Sequence, residues 1–404
     1  MTRVLQRPEA DTRAPLDIPQ AVENLAVALE STAAERDRQG GHAARERQLI
    51  RDSGLLRLTV PREHGGLGAD WVQLLQAVRR LAQADSALAH VFAFHHLQVA
   101  SVVLYADALT QARLLRATTE EGWFWGNASN PRDTRLTARA VRGGWVLEGR
   151  KSYASGSVGS DRLLVSAYVE GEEGAAPALL IATLPTRASG VRVQENWDSF
   201  GQRQTDSGTV HFHGVHLPGH EVLLAPGHQR TPRQSLRTLL SQLIMTNLYT
   251  GIAQGALSAA RRYTLEEARP WHTGEFQRLA DDPVVQHRYG QLRLAVLPAQ
   301  LAADAAAERL HTASQRGAGL TAAERGEVAV AVAEAKVLAH RAALEVSSQM
   351  FELTGAASTS ADRGLDRYWR NARVHTLHDP VDLKLRDIGR HVLDGVHPQP
   401  TQYS

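Results

Sequence analysis

The sequence predicts an α+β chain of three consecutive units: an N-terminal helical domain over residues 1–121, a central β-barrel or sandwich domain over 122–230, and a C-terminal four-helix bundle over 231–404. Three observations carry this. Apolar residues in the opening third recur at intervals of three and four, as in Trp71, Leu74, Leu75, Val78 and Leu81. From Trp123 to about Leu224 the pattern changes to short alternating stretches between glycine-rich turns, such as Trp145-Val-Leu-Glu, Leu163-Leu-Val-Ser-Ala-Tyr and Thr209-Val-His-Phe-His. Beyond Ser235 long helical patterns return with short links, the arrangement of an antiparallel bundle. There are no internal repeats or low-complexity linkers, and 404 residues suffice for a large shared core.

Within the first unit, Val60-Pro-Arg-Glu-His-Gly65-Gly66-Leu-Gly68 forces a turn, and Asp70 and Asp85 stand as caps for the helices that follow. The apolar run Ala87–Ala106 is broken by His90, His95, His96 and Gln98, which argues against a membrane span. His95 and His96 sit on an otherwise apolar helix, so at least one turns inward and needs a partner or a substrate. In the β unit, His211 and His213 share a strand face beside Thr209 and read as solvated, without a role. Trp197 and Phe200 suit the wall of a pocket for an apolar or aromatic compound, and equally suit plain packing. The bundle helices are expected at Ser235–Arg269, stopped by Pro270; Asp282–Arg316, kinked at Pro298; Thr321–Leu353, with a Thr321/Glu324 capping box; and as a final pair around Pro380.

Composition excludes several classes. With no cysteine there are no disulfides, thiolate metal sites or cysteine nucleophile, which fits a reducing cytoplasm. Of 45 basic residues only Lys151, Lys336 and Lys384 are lysines, and the arginines are scattered among acids instead of forming a nucleic-acid-binding stripe. The first 15 residues lack the apolar core of a signal peptide.

The densest chemistry lies in Arg370-Asn-Ala-Arg-Val-His375-Thr-Leu-His378-Asp379-Pro380. His375 and His378 share a helix face, while Pro380 ends the helix and leaves Asp379 to cap the next one. A lone pair of this kind usually packs or caps. Metal binding through His375, His378 and Asp379 is not expected: adjacent His378 and Asp379 aim poorly at one ion, and no glutamate stands by as a base.

The order of units, the Val60–Gly68 turn and the segment Gly149-Arg-Lys-Ser-Tyr-Ala-Ser-Gly-Ser-Val-Gly-Ser-Asp161 resemble the acyl-CoA dehydrogenase superfamily over nearly the whole chain. The usual dehydrogenase glutamate is missing, because His378-Asp379-Pro380-Val381 stands where Tyr-Glu-Gly-Thr is typical. Gly355-Ala356-Ala357-Ser358 replaces a Gly-Gly that seats adenosine, and Arg269 is followed by Pro270-Trp271, both favouring FMN over FAD. The stretch from Trp369 to Val381, the Trp125–Pro131 segment and the Tyr403-Ser404 ending are similar to the flavin-dependent monooxygenase branch, which includes dibenzothiophene monooxygenase and sulfur-acquisition oxidoreductases.

The resemblance implies a two-component monooxygenase in a homotetramer. Reduced FMN would come from a separate NAD(P)H:flavin reductase, react with O2 to a flavin hydroperoxide, and oxygenate a small organic, above all organosulfur, molecule. It implies His378 as the hydrogen-bonding partner of the peroxide, with His375 as second candidate. Asn127, Ser129, Ser155 and Ser157 would face the flavin ring, Asn127 and Ser157 taking part in catalysis; Arg269, assisted by Arg370, would hold the phosphate; and His95, His96, Trp197 and Phe200 would meet the substrate. Two other readings stay open at this point: an FAD-dependent acyl-CoA dehydrogenase with Asp379 as a displaced base, and a scaffold that has lost the flavin.

Overall fold

Aspartate caps open most of the N-terminal helices. In the computed structural model, which describes residues 16–169, 178–272 and 274–404, Asp17 accepts from the Gln20 amide to start α1 (Ile18–Glu30). The first 15 residues, on which the signal-peptide expectation rests, lie outside the described residues. Next come α2 (Ala33–Gln39) and α3 (Ala44–Asp52), then α4 (Trp71–Ala84) behind an Asp70/Gln73 capping box. Asp85 caps α5 (Ser86–Tyr105) through the Ala87 and Leu88 amides, and Asp107 caps α6 (Ala108–Glu120). The turn before α4 needs glycine at 66, because a Cβ there would lie 1.9 Å from the Val60 carbonyl oxygen. α5 is long and apolar enough to cross a membrane, yet it is buried inside the protein.

The central unit is one mixed sheet of eight strands among the described residues: β1 (Trp125–Ala128), β2 (Leu136–Val141), β3 (Gly144–Lys151), β4 (Arg162–Val169), β5 (Ala178–Pro185), β6 (Val191–Gln194), β7 (Thr209–Pro218) and β8 (Val222–Leu224). The order is β6-β7-β3-β2-β4-β5-β8, with β1 added in parallel to β4. Alternating residues such as Leu147, Val165, Phe212, Val215 and Leu217 form its core.

The C-terminal region holds α7 (Pro232–Glu266), α8 (Pro283–Gln315), α9 (Ala322–Gln349), α10 (Phe351–Thr354), α11 (Asp366–Thr376) and α12 (Val381–Asp394). α7 starts earlier than expected, from a Thr231/Gln234 capping box, and α9 starts from the expected Thr321/Glu324 box. α8 continues through Pro298. One cap differs from expectation: Asp379 does not cap α12, whose N-cap is Pro380 without a side-chain hydrogen bond. Its carboxylate turns inward to the buried Lys336 ammonium instead, because a charge taken out of water needs a countercharge more than a helix start needs a cap. α4, α5, α7 and α9 share the large helical core, and β1 packs on α5, so the β unit meets the bundle along α5.

Candidate functional site

A cavity of about 940 Å³ opens where α5, the sheet, α7 and the end of α11 meet. That volume lies near the upper end for single-ligand clefts, leaving room for a large cofactor beside a small second molecule.

One pole is made of histidines. His90, Phe94 and Leu97 lie at positions i, i+4 and i+7 of α5 and line the cavity together. The His90 ring stacks on Phe94 at 4.1 Å and stands 4.8 Å from the His375 ring. Both His90 ring nitrogens and His375 Nδ1 are buried without a hydrogen-bond partner. Burial brings the His90 pKa down to about 3 and holds that of His375 well below the ordinary value, so both rings are neutral at pH 7. The His375 backbone is fixed by the Tyr249 hydroxyl, which donates to its carbonyl at 2.8 Å.

His378 follows where α11 has ended, its Nδ1 3.0 Å from Asp379 Oδ1. Asp379 also ion-pairs with Lys336, whose ammonium donates to Gln242 Oε1 as well. The Asp379 carboxyl stays far below the carboxylate range because the hydrogen bond from His378 and the Lys336 charge outweigh its burial. An ionised Asp379 can only accept, so His378 Nδ1 carries the proton and Nε2 is left free. Tyr403 packs edge-on against His378 at 5.8 Å and is held by Lys384, which donates to its carbonyl.

The sheet contributes neutral polar groups. Asn127 Oδ1 accepts from Ser129 Oγ at 2.6 Å and from Gln98 Nε2 at 3.3 Å, leaving the Asn127 amide N–H groups unpaired among the described residues. Ser155 Oγ pairs with Ser207 Oγ at 2.8 Å, while Ser166 Oγ and Gln202 Oε1 are buried on the cavity wall without partners. Tyr153 and Gln202 hold positive φ values of 57° and 53°, a conformation that costs a non-glycine residue about 1–2 kcal/mol. Gln202 is pinned there by Asn371 Oδ1 on its amide at 2.6 Å, by Ser86 Oγ on its side chain at 3.0 Å, and by Trp197 Nε1 on its carbonyl at 2.9 Å. Strained residues held this firmly are a mark of a working site. Gly201 brings the loop against α11, where a Cβ would lie 2.2 Å from the Arg370 carbonyl oxygen.

Of the residues singled out from the sequence, His375, His378, Asn127, Ser129, Ser155, Trp197 and Phe200 all line this cavity. Five do not. His95 and His96 point away from it as satisfied core residues. His95 Nε2 meets the Leu56 carbonyl at 2.7 Å and its Nδ1 accepts from the Trp125 amide at 3.1 Å; His96 meets the Leu55 carbonyl at 3.1 Å and the Thr59 hydroxyl at 2.9 Å. Ser157 is buried beside β1, where Gly126 approaches its Cα. Arg269 is exposed, and Arg370 is bound to Asp37, Asp366 and the Phe200 carbonyl, so neither reaches the cavity within one chain. Sequence reading missed two residues of the cavity wall: His90, whose i, i+4, i+7 relation to Phe94 and Leu97 was a usable signal, and Arg237 on α7, which had none. Among the described residues Glu327, His391 and His397 are close enough to hold a metal ion, but none lines the cavity.

The three-unit fold with its interdomain cavity is that of the acyl-CoA dehydrogenase family, to which this chain belongs: the N-terminal, middle and C-terminal domains of that family match residues 19–121, 117–215 and 243–382. Its near relatives are monooxygenases. It is 42% identical over 380 residues to the probable FMNH2-dependent monooxygenase SfnC of Pseudomonas putida, covering 94% of this chain and 95% of that protein. It is 42% identical over 387 residues to dibenzothiophene monooxygenase of Rhodococcus erythropolis, covering 93% of each. The structure of methanesulfinate monooxygenase MsuC from Pseudomonas fluorescens superposes with a TM-score of 0.93 at 44% identity, over 97% of this chain and all of that one.

Proposed function

We propose that this chain is the oxygenase component of a two-component flavin monooxygenase that uses O2 and reduced FMN, delivered by an NAD(P)H:flavin reductase, to oxygenate a small organosulfur compound. The observation that carries the reading is one large cavity walled by His90, His375, His378, Asn127, Ser166 and Gln202, several of whose buried polar atoms have no partner in the protein. Unpaired buried polar groups each cost about 1–3 kcal/mol, so a cavity that collects them is built for a polar ligand. A flavin ring, with carbonyls and ring nitrogens along its edge, fits that donor and acceptor set, and the names of the relatives point to FMN. When bound, the reduced flavin activates O2 and supplies the electrons that put one oxygen atom on the substrate and release the other as water.

The chain's own residues divide the remaining work. Asn127 offers free amide N–H groups to the ring edge, and Ser129 and Ser155 fix the wall around it. His90 and His375, neutral and shielded from water, each offer one N–H to developing negative charge on oxygen without giving up a proton early. His378, held by Asp379 through Nδ1, takes and returns a proton at Nε2. Trp197 and Phe200 cover the apolar part of the substrate. The acyl-CoA dehydrogenase alternative loses its base, since the Asp379 carboxylate is bound to Lys336 and His378. We place the protein in the cytoplasm as a homotetramer, a reading favoured by the absence of cysteine and by the exposed apolar residues Trp271, Leu294 and Leu301. Assembly would also give exposed Arg269 a neighbour's cofactor phosphate to hold.

The test is turnover under 18O2 with FMN, NADPH, a flavin reductase and a panel of sulfides, sulfinates and sulfones. One 18O atom in the product is expected. Stoichiometric hydrogen peroxide with every compound contradicts the reading.

A further inference from the structure

The relatives named for dibenzothiophene and for methanesulfinate are about equally similar to this chain, and one substrate is a neutral aromatic while the other is a small anion. Overall identity does not choose between them. The residues at the α5–α7 side of the cavity do.

Arg237 lines the cavity from α7, and among the described residues it forms no ion pair. Its Nε donates to Ser101 Oγ at 2.8 Å and its Nη2 to Gln98 Oε1 at 3.3 Å, both on α5. Ser101 is itself anchored to the Leu97 carbonyl at 2.8 Å, so the guanidinium plane is fixed from behind. Its Nη1 makes no hydrogen bond within the described protein. Arg230 lines the same cavity, also without a carboxylate partner among the described residues, and lowers rather than offsets the stability of the Arg237 charge. The Tyr105 hydroxyl, another lining group, is buried and unpartnered. Two cations and an unused hydroxyl around one space, with no carboxylate among their partners in the described residues, leave a positive charge partly removed from water, which is costly unless a ligand brings the opposite sign.

We propose that Arg237, with Arg230 and the Tyr105 hydroxyl, forms an oxyanion subsite, and that the substrate is a small organosulfur anion, an alkanesulfinate, instead of a neutral aromatic sulfide. This rests on the monooxygenase reading above. Guanidinium presents parallel N–H groups to two oxygens that share one charge, which is the shape of a sulfinate. A sulfinate sulfur also keeps a lone pair. That pair forms the new S–O bond, turning sulfinate into sulfonate, while the second oxygen atom of O2 leaves as water with two electrons and two protons from the reduced flavin. A neutral sulfide would leave the Arg237 charge unmet.

The same guanidinium could serve the FMN phosphate, which is also an oxyanion. Its neighbours argue for the substrate. Gln98, which accepts from Arg237, donates in turn to Asn127 Oδ1 at 3.3 Å, so Arg237 stands one side chain away from the group assigned to the flavin ring edge. The phosphate is at the far end of the ribityl chain from that ring.

The experiment compares wild type, Arg237→Met and Arg237→Lys for binding and turnover of methanesulfinate, with dibenzothiophene as the neutral substrate and FMN against riboflavin as the cofactor probe. Circular dichroism melting checks that each variant is folded. Expected are one-to-one binding of methanesulfinate to wild type by calorimetry, a KM raised about tenfold to a hundredfold in Arg237→Met, as for loss of a charge-assisted hydrogen bond, and partial recovery in Arg237→Lys. FMN affinity and any activity on dibenzothiophene should not fall. Oxygenation of dibenzothiophene but not methanesulfinate overturns the proposal and leaves the monooxygenase reading intact. Weaker binding of FMN but not of riboflavin in Arg237→Met assigns the arginine to the phosphate and overturns it too. If nothing is oxygenated, the monooxygenase reading fails, and calorimetric binding of methanesulfinate, lost in Arg237→Met, still decides the subsite.

Discussion

α5 carries two kinds of buried histidine. His95 and His96 are fully enclosed, as is His90 to within a few per cent, yet each ring nitrogen of His95 and His96 has a partner while those of His90 have none. Burial alone does not separate them. Hydrogen-bond satisfaction does: the first pair ties the turn Leu55–Thr59 to the helix, while His90, on the cavity wall with the His375 ring 4.8 Å away, has no partner in the protein.

The largest expected effect breaks that contrast on the reacting side. His378→Ala should lower product formation by about 10²–10⁴-fold, the range for loss of a group acting on a proton, and His90→Ala by about 10²–10³-fold, the range for loss of a donor to developing charge, while hydrogen peroxide release rises and FMN binding changes little. Coupled assays of product and peroxide check this. Next comes the support beneath His378. Lys336→Met leaves Asp379 as an uncompensated buried charge and should cost about 3–5 kcal/mol in denaturant unfolding. A Lys336→Met/Asp379→Leu double variant should recover most of that stability but not product yield, because His378 loses its orienting partner.

On the structural side, His95→Leu strands the Leu56 carbonyl and the Trp125 amide, at about 1–3 kcal/mol each, while product yield per folded molecule stays near wild type. The last prediction, read from the share of a single histidine, concerns pH. Burial lowers the folded-state pKa of His90 to about 3 and of His95 to about 4, with His96 and His375 also well below normal. The unfolded chain therefore binds more protons between these values and about pH 6.5. Stability is fully present above that pH and is lost on acidification, by up to about 1.4 kcal/mol per pH unit for each histidine. Unfolding midpoints from pH 7 to 4 should show the slope, reduced in His90→Leu.

Much of this was legible in the sequence. Period-three and period-four spacing, the aspartate caps and the capping box at Thr321 place the helices, because these signals are local. The histidines singled out in the segment from His375 to His378 both line the cavity, and their part in catalysis is the proposal made above. What was not legible depends on direction. His95 and His96 stand out in a list of residues, but one 100° step of the helix separates the cavity face from the core face, and only the packing of α5 on β1 and α7 decides which is which. Asp379 looked like a cap because its partner Lys336 lies 43 positions away on α9. Arg237 looked like one arginine among many, since a missing countercharge is visible only in three dimensions. Arg269 is exposed and lies outside the cavity, which its place in the sequence did not reveal.

The most direct test of the central claim is rapid mixing of the anaerobic protein–reduced FMN complex with O2, followed through the flavin absorbance. A distinct transient before oxidised flavin is expected in wild type, shortened in His378→Ala and His90→Ala and unchanged in His95→Leu. Immediate return to oxidised flavin at the rate of free reduced FMN, in wild type as in the variants, would contradict the account.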